Sequence, residues 1–405
     1  MLILLVFERL ATISDTKGSN TVRHKNSVFH DLLKRLSWAS FERLVDEHGA
    51  DRHVRRLSTK SQLIALLYGQ FSGAASLREI VGGLESHSAR LYHLGARPAS
   101  RSTLADANRL RPNAVFAGLF TEMVARASRG LRRKMGEATY LIDATGVRLS
   151  QASSQWARFS GQTCGAKVHM IYDADAERPI YAAVTPARVN DITPAKTMPV
   201  EAGATYVFDL GYYDFGWWEK LDRAGCRIVT RFKSHTRLSL LEERPIMDGG
   251  AILSDRIGLL PARQAKNRKN PFGKPVREIG VVLETGKVLR ILSNDLDAPA
   301  QEIADLYKRR WAIELFFRFV KQTLKIRHFL GTSENAVPIQ IAVALIAYLL
   351  LQMAKADQTT VKTPLAFIRL VRANLMLRRR TDQLAKPPPE TTKDLRQMQF
   401  NWEPI

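Results

Sequence analysis

Apolar residues recur at helical spacing in the first third of the chain, at strand spacing through the middle, and at helical spacing again beyond residue 300. Between residues 24 and 112, FHDLLKRLSWASFERLVDEHG is amphipathic and SQLIALLYGQF is apolar enough to be a buried helix, with the positive patch DRHVRRLSTK between them. Two helix starts follow. Ser76-Leu77-Arg78-Glu79 has the form of a capping box ahead of LREIVGGLESH, and Ser102-Thr103 with Asp106 opens TLADANRLR. Arg101, Thr103, Asn108, Arg109 and Arg111 rim this second helix, which could place side chains in a DNA major groove. The connection from His87 to Arg101 is much longer than a helix-turn-helix turn, so a helical packing domain with a basic surface is the competing reading.

From Ala138 the period falls to two. TYLIDATGVRLS reads as a hairpin whose buried first arm ends at Asp143, with Thr145-Gly146 turning. AKVHMIYDAD and PIYAAVTPARVND are two more strands. A short helical link, PAKTMPV, precedes a strand in TYVFDLGYYD, a helix in FGWWEKLDRAG and a strand in CRIVTRFKSH. Antiparallel-type strands followed by alternating strand and helix predict an α/β chain with a mixed sheet and helical cover. Residues 236–300 interrupt the alternation with a Gly- and Pro-punctuated, strand-rich stretch. Its loop RQAKNRKNPFGKPVR carries many cations and no acid, which suits either a solvated loop or a contact with a DNA backbone.

The stretch from Tyr307 to Lys325 contains no Gly or Pro and reads as one helix. At roughly 100° per residue, Tyr307, Arg310, Glu314 and Lys321 fall within an arc of about 60°. Trp311, Ile313, Leu315, Phe316, Phe317, Phe319, Val320 and Leu324 cover most of the rest, so the helix should be largely buried. Burying the charged stripe is costly unless something pairs with it. Glu314 stands four residues from both Arg310 and Arg318, which suits plain helix-surface ion pairs. The alternative is that Glu314 holds a divalent metal while the flanking cations and Tyr307 grip phosphates, which requires further carboxylates nearby. Val337 to Ala354 is a core helix rather than a membrane span, since Pro338, Gln340 and Gln352 interrupt it. A basic helix runs through LAFIRLVRANLMLRRR, and PPPE begins an extended tail.

Charge narrows the partner. Lys plus Arg number 61 against 39 Asp plus Glu, and a net +22 favours a polyanion, nucleic acid first. Cys164 and Cys226 have no metal-type spacing and suggest a reducing compartment. The opening MLILLVF is too short for a signal-peptide core, and residues 1–23 read as an extension of little structural value. No GxxxxGK[ST] phosphate loop, GxSxG elbow or His/Cys zinc cluster is present.

Asp143 and Asp209 share one setting: each directly ends an apolar run, YLI and YVF, of the kind that forms a buried strand. A carboxylate there projects into the crevice beyond the strand end. If the two strands are neighbours the acids meet, and the Glu314 helix can pack across them. Three convergent carboxylates repel one another and are retained most easily around a divalent cation, with oxygen-only ligands selecting Mg²⁺ or Mn²⁺. Asp173 and Asp175 look like turn residues and Asp214 like a helix cap, while Asp191, with His169 and Asn190, could support the site from behind.

These residues resemble the DDE transposases of bacterial insertion sequences, specifically the insertion-sequence-four group. The marks are Asp143 in LIDATG, Asp209 in YVFDLGYYD, and the Y-(2)-R-(3)-E-(6)-K spacing of Tyr307, Arg310, Glu314 and Lys321. The similarity spans roughly residues 24–355. It implies a ribonuclease-H-like catalytic domain in two parts, 138–235 and 301–355, split by a β-rich insertion at 236–300. Ahead of it would stand an all-α DNA-binding domain at 24–125, and behind it a basic helix and tail at 356–405. It implies two Mg²⁺ ions (Mn²⁺ can substitute) held by Asp143, Asp209 and Glu314, with Tyr307, Arg310 and Lys321 positioning the cut strand. The implied partners are double-stranded DNA, as terminal inverted repeats and target, and a second copy of the chain in a synaptic homodimer; no membrane is involved. The implied setting is the bacterial cytoplasm, at the nucleoid when bound. A nuclease without strand transfer and an inert DNA-binding repressor are the rival functions. In one place the chain departs from the family: between Glu219 and Tyr307 there is no Trp to stack on a flipped base, and after Phe232 the segment offers only Phe272.

Overall fold

The structure is a computed structural model that describes residues 26–129, 138–247, 249–265, 268–324 and 329–385. The extension expected at 1–23 and the tail expected from 387 lie outside the described residues.

The leading helices are α1 (Val28–Leu33), α2 (Trp38–Glu47), α3 (Thr59–Ser72), α4 (Leu77–Glu85), α5 (Ser88–Leu94), α6 (Arg101–Leu110) and α7 (Asn113–Arg129). Serines set several of their starts: Ser37, Ser58, Ser76 and Ser100 each accept the backbone N–H three residues on. Glu79 reaches back to the Ala75 N–H at 2.8 Å, completing the expected capping box one residue early. The start expected at Ser102-Thr103 lies at Ser100 instead, where the extended backbone after Pro98 frees the serine hydroxyl to hold Thr103 N–H at 3.2 Å. Helix α5 fills the connection between His87 and Arg101, so α4 and α6 do not form a helix-turn-helix.

The second half of the fold begins with β1 (Thr139–Leu149), α8 (Ser154–Ala157), β2 (Arg158–Ser160), β3 (Thr163–Asp173), β4 (Arg178–Pro186) and α9 (Ile192–Ala195). Next come β5 (Thr205–Phe208), α10 (Phe215–Arg223) and β6 (Arg227–Arg231). The expected insertion holds β7 (Ser239–Glu243), β8 (Ile252–Leu259), β9 (Arg263–Ala265), β10 (Arg268–Lys269), β11 (Val276–Val282) and β12 (Val288–Ser293). The last helices are α11 (Ala300–Arg309), α12 (Trp311–Thr323), α13 (Ala336–Ala356) and α14 (Pro364–Asn374).

The heart of the sheet has the order β4-β3-β1-β5-β6, with β4, β3 and β1 antiparallel and β1, β5 and β6 parallel. This is the ribonuclease-H-like arrangement. β1 corrects one expectation: it is a single strand rather than a hairpin, and Gly146 stays in register opposite Lys167. The long partner β3, paired from Tyr140 to Leu149, outweighs the local turn preference of Thr145-Gly146. The insertion is strand-rich as expected; β9 and β10 form a two-stranded ribbon of their own, and the other strands join the main sheet. β12 pairs antiparallel with β6, and β11, β8 and β7 extend the same sheet outward.

Alternation assigns the two faces. Leu141, Val147, Val207 and Val229 face one core with α11, α12 and α13, while Tyr140, Ile142, Tyr206, Phe208 and Ile228 face another beneath α10. α13 is long and apolar enough to cross a membrane, but most of it is buried in the protein, packed on α3, α7, α14 and β4. Phe29, Leu63 and Phe116 of the leading helices join Ile341, Leu345 and Leu141 in one continuous core. The stretch 24–125 therefore shares its core with the rest of the chain rather than closing one of its own.

Candidate active site

Register brings the two aspartates together. Leu141 pairs with Val207 and Ile142 with Phe208 across parallel β1 and β5, and the next position on each strand is Asp143 and Asp209. Both share the parity of Leu141 and Val207, which places them on the face covered by α11 and α12. β5 ends there, and Asp209 caps the tight turn Leu210–Tyr212 by accepting Gly211 N–H at 2.8 Å. Asp143 Oδ1 accepts its neighbour Ala144 N–H at 2.7 Å.

The expected single helix breaks at Arg310. Tyr307 lies near the end of α11, and Glu314 lies in the first turn of α12, where free backbone N–H groups favour a carboxylate. The break needs no Gly or Pro: Arg310 keeps helical torsions while its N–H turns to the Tyr307 carbonyl three residues back at 3.1 Å, and its guanidinium lies between two acids. Its Nη1 is 3.5 Å from Asp143 Oδ2 and its Nη2 donates to Glu314 Oε1. The guanidinium carbon is 5.9 Å from the Tyr307 ring centre. Arg310 thus ties three of the expected site residues together. Lys321 follows Glu314 by seven residues on the same face, about 10 Å along the axis, and is half-buried. Trp311 and Leu315, expected in the core, are about half exposed, because α12 buries only the face of Ile313, Phe316, Phe317 and Val320.

Electrostatics at Asp143 are strained. Burial pushes its carboxyl from 3.8 up to about 6; the Ala144 N–H opposes this, Asp209 adds to it, Arg310 opposes it and Glu314 adds to it. The sign of the consequence follows. Between about pH 4 and pH 6 the metal-free folded state keeps a proton that the unfolded state releases, so stability falls as pH rises through that window. Asp143→Asn is therefore expected to melt higher than wild type at pH 7.5 in EDTA, by at most about 3 kcal/mol, with the gain fading towards pH 4. Thermal melts of both proteins across that range check it.

The donors are all oxygens, which suits a hard divalent cation. Among the described residues no three Asp, Glu, His or Cys side chains are drawn close enough to enclose one ion. The Arg310 guanidinium stands between Asp143 and Glu314 and supplies the positive charge that both face.

Of the residues expected to face DNA, Arg101 and Arg109 are exposed on α6 and Thr103 is half-buried, with Arg109 paired to Asp106 at 3.2 Å. Asn108 does not belong with them. It is 1% exposed, and its Oδ1 accepts Gln62 Nε2 at 2.8 Å, so it joins α6 to α3 and cannot reach a base. Arg111 is also buried, donating to Gln62 and the Leu57 carbonyl. In the cationic loop, Arg268 pairs with Asp214 at 2.5 Å, Lys274 with Asp222 at 2.7 Å and buried Arg277 with Asp255 at 2.6 Å. Those three cations serve the fold. Phe272 is buried in the core beneath α10 and offers no ring to a flipped base.

Asp173 accepts the N–H groups of Asp175 and Ala176 in a turn, and Asp214 caps α10, as expected. Two groups near the aspartates escaped the sequence reading. Lys167 Nζ holds Asp191 at 2.9 Å, and the fully buried Tyr212 has a phenol pushed well up by burial and then by Asp143, Asp191 and Asp209. The tyrosine pair in DLGYYD was the only available signal for the second.

Comparisons with known proteins bear on this site. Residues 134–350 match the family model described as the transposase DDE domain, and residues 24–97 match a domain of unknown function (DUF4372). A protein of Sinorhizobium fredii named as a transposase, y4zB, is 38% identical over 312 residues, covering 76% of this chain and 85% of its own length. A Geobacillus stearothermophilus protein named for transposition of the insertion sequence IS5377 is 29% identical over 272 residues, covering 64% of this chain and 69% of its own. A Synechocystis protein named for the element IS4SA is 37% identical over 86 residues, 21% of this chain and 25% of its own.

Proposed function

The chain belongs to the family of transposases with a DDE domain, and from that premise we propose that Asp143, Asp209 and Glu314 form the metal-holding centre with which it cuts and joins the ends of an insertion sequence. A DDE transposase acts on DNA and uses a divalent metal; the proposal is that Mg²⁺, as two ions, sits on these three residues. The observation that carries it is the register of β1 and β5, which sets Asp143 and Asp209 side by side under the helix of Glu314, with Arg310 bridging. When bound, the metal supplies an activated oxygen nucleophile and charge to offset the phosphate.

The rest falls to the chain's own side chains. Tyr307, Arg310 and Lys321 line one direction along α11 and α12 and would hold the phosphates of the strand being cut. A phosphate can take the Arg310 guanidinium from Asp143 and Glu314, freeing both carboxylates as DNA arrives. In cleavage a water oxygen joins the phosphorus and the strand leaves as a free 3′-hydroxyl. In joining, that hydroxyl displaces another 3′-oxygen at a target phosphodiester. Two copies would hold the two ends in the cytoplasm, at the nucleoid. The test is nicking of a duplex carrying a terminal repeat, in Mg²⁺ against EDTA, followed by joining to a target plasmid.

Two further outcomes are expected. A methyl at Gly211 would lie 3.0 Å from Asp209 Oδ1 and 3.2 Å from Asp191 Oδ2, so Gly211→Ala should displace Asp209. End cleavage by that variant should fall at least about tenfold, with an unchanged circular dichroism spectrum. Binding of the full-length protein to the ends should weaken steeply with salt, because phosphate neutralisation releases counterions. Replacing both Arg101 and Arg109 by Ala should flatten the plot of log affinity against log salt by roughly one to two in slope. An unchanged slope in filter binding would remove α6 from the DNA surface.

A further inference from the structure

Behind the two aspartates lies a set of partly and fully buried polar groups that neither metal holding nor phosphate gripping has used. Asp191 stands at the start of α9, its Oδ1 held by Lys167 Nζ at 2.9 Å while the same ammonium donates to Val189 O at 3.0 Å. Its Oδ2 faces Asp209 across Gly211. Fully buried His169 shares a hydrogen bond with Thr185 Oγ1 at 2.8 Å, and its Nδ1, 3.9 Å from Asp191 Oδ1, has no hydrogen-bond partner. Tyr212 follows Asp209 by three residues, is 0% exposed, and its hydroxyl also has no partner.

A buried hydroxyl without a partner is costly. Phe would fill the same space among Phe208 and Trp217, which pack on the ring, without that cost. The hydroxyl therefore points to a second arrangement of the site in which it is used. Tyr212 adjoins Gly211, which Asp209 Oδ1 and Asp191 Oδ2 flank, and Asp143 bears on the same phenol; ionised carboxylates accept and do not donate. Asp191 is already neutralised by Lys167, and Asp209 is held by Gly211 N–H. Asp143 Oδ2 has only the 3.5 Å approach of Arg310.

We infer that Tyr212 is a positioning residue of the metal site: when a divalent cation draws Asp143 towards Asp209 and Arg310 withdraws, the Tyr212 hydroxyl donates to the Asp143 carboxylate and holds it in the closed arrangement. The Asp191–Lys167 pair forms the fixed wall behind it, adding an acceptor without adding net charge. This rests on the reading that Asp143 and Asp209 hold the ion.

The test uses the full chain with Tyr212→Phe, Mn²⁺ as the probe, and two readouts that need no DNA: calorimetric titration and thermal melting with and without the ion. Tyr212→Phe in EDTA should melt at or above wild type, since an unpaired hydroxyl is gone. It should bind Mn²⁺ at least fivefold more weakly and gain less melting temperature from it. Tyr213→Phe is the control, because the Tyr213 hydroxyl bonds Thr236 at 3.0 Å outside the site. That control should keep wild-type affinity. Wild-type Mn²⁺ affinity in Tyr212→Phe overturns the inference, as does a lower melting temperature in EDTA, which would mean that the hydroxyl serves the metal-free fold. A wild-type protein that binds no Mn²⁺ overturns the carboxylate reading itself.

Discussion

Asp143→Ala, Asp209→Ala and Glu314→Gln are each expected to abolish end cleavage in Mg²⁺ while leaving binding to the ends largely intact. Asp143 and Asp209 meet because two parallel strands are in register up to the residue before each. Glu314 stands in the first turn of α12 and is linked to Asp143 through Arg310. None of the three is placed to read bases. On the proposed reading they hold charge where a phosphodiester reacts, and losing one such group costs on the order of 100- to 1,000-fold. Gel shift and nicking on one substrate separate binding from cutting. A variant that still nicks at more than a few per cent of wild type would remove its residue from the site.

The second large effect concerns Arg310 and Lys321. A surface ion pair is worth well under about 1 kcal/mol, and a pure salt-bridge role would leave activity near normal in Arg310→Ala. In the fold, however, Arg310 is largely buried between two acids and beneath Tyr307, and its Nε has no partner. A buried guanidinium with a spare donor, beside the carboxylates, is suited to a phosphate. Lys321 lies too far along α12 to share a metal with Glu314 yet faces the same way. Arg310→Ala and Lys321→Ala are both expected to lose at least about tenfold in joining a pre-cut 3′-hydroxyl end, since small misplacements at a reacting phosphate are costly. The melting temperature of Lys321→Ala should stay close to wild type. Near-normal joining in both variants would return the stripe to the salt-bridge reading.

Much of the candidate site's placement was legible because its signals are local. YLI before Asp143 and YVF before Asp209 are buried strands by composition alone, and an acid directly after each is hard to explain otherwise. The spacing from Tyr307 to Lys321 is likewise visible in one stretch. What stayed hidden depends on partners distant in sequence. Thr145-Gly146 looked like a turn because nothing nearby shows that β3 pairs across it. Asn108 looked like a groove-facing residue because its partner Gln62 lies on another helix. The break at Arg310 carries no Gly or Pro, and one of the two acids its guanidinium meets lies far off in sequence on β1. The insertion read as strands, but its continuity with the catalytic sheet rests on β12 meeting β6. Tyr212 was passed over because a tyrosine in an apolar run is ordinarily core, and only the fold shows its hydroxyl without a partner.

The claim at the centre is that these carboxylates hold the metal on which cleavage depends. Exchange of a carboxylate for a thiolate tests it most directly, because a thiolate binds Mg²⁺ poorly and softer ions well. End cleavage by Asp209→Cys should be undetectable in Mg²⁺ and should return, to at least a few per cent of wild type, when Mn²⁺ replaces it, while Asp209→Ala stays inactive in both. Equal inactivity of the Cys and Ala variants in Mn²⁺, with both still folded and bound to the ends, would contradict it.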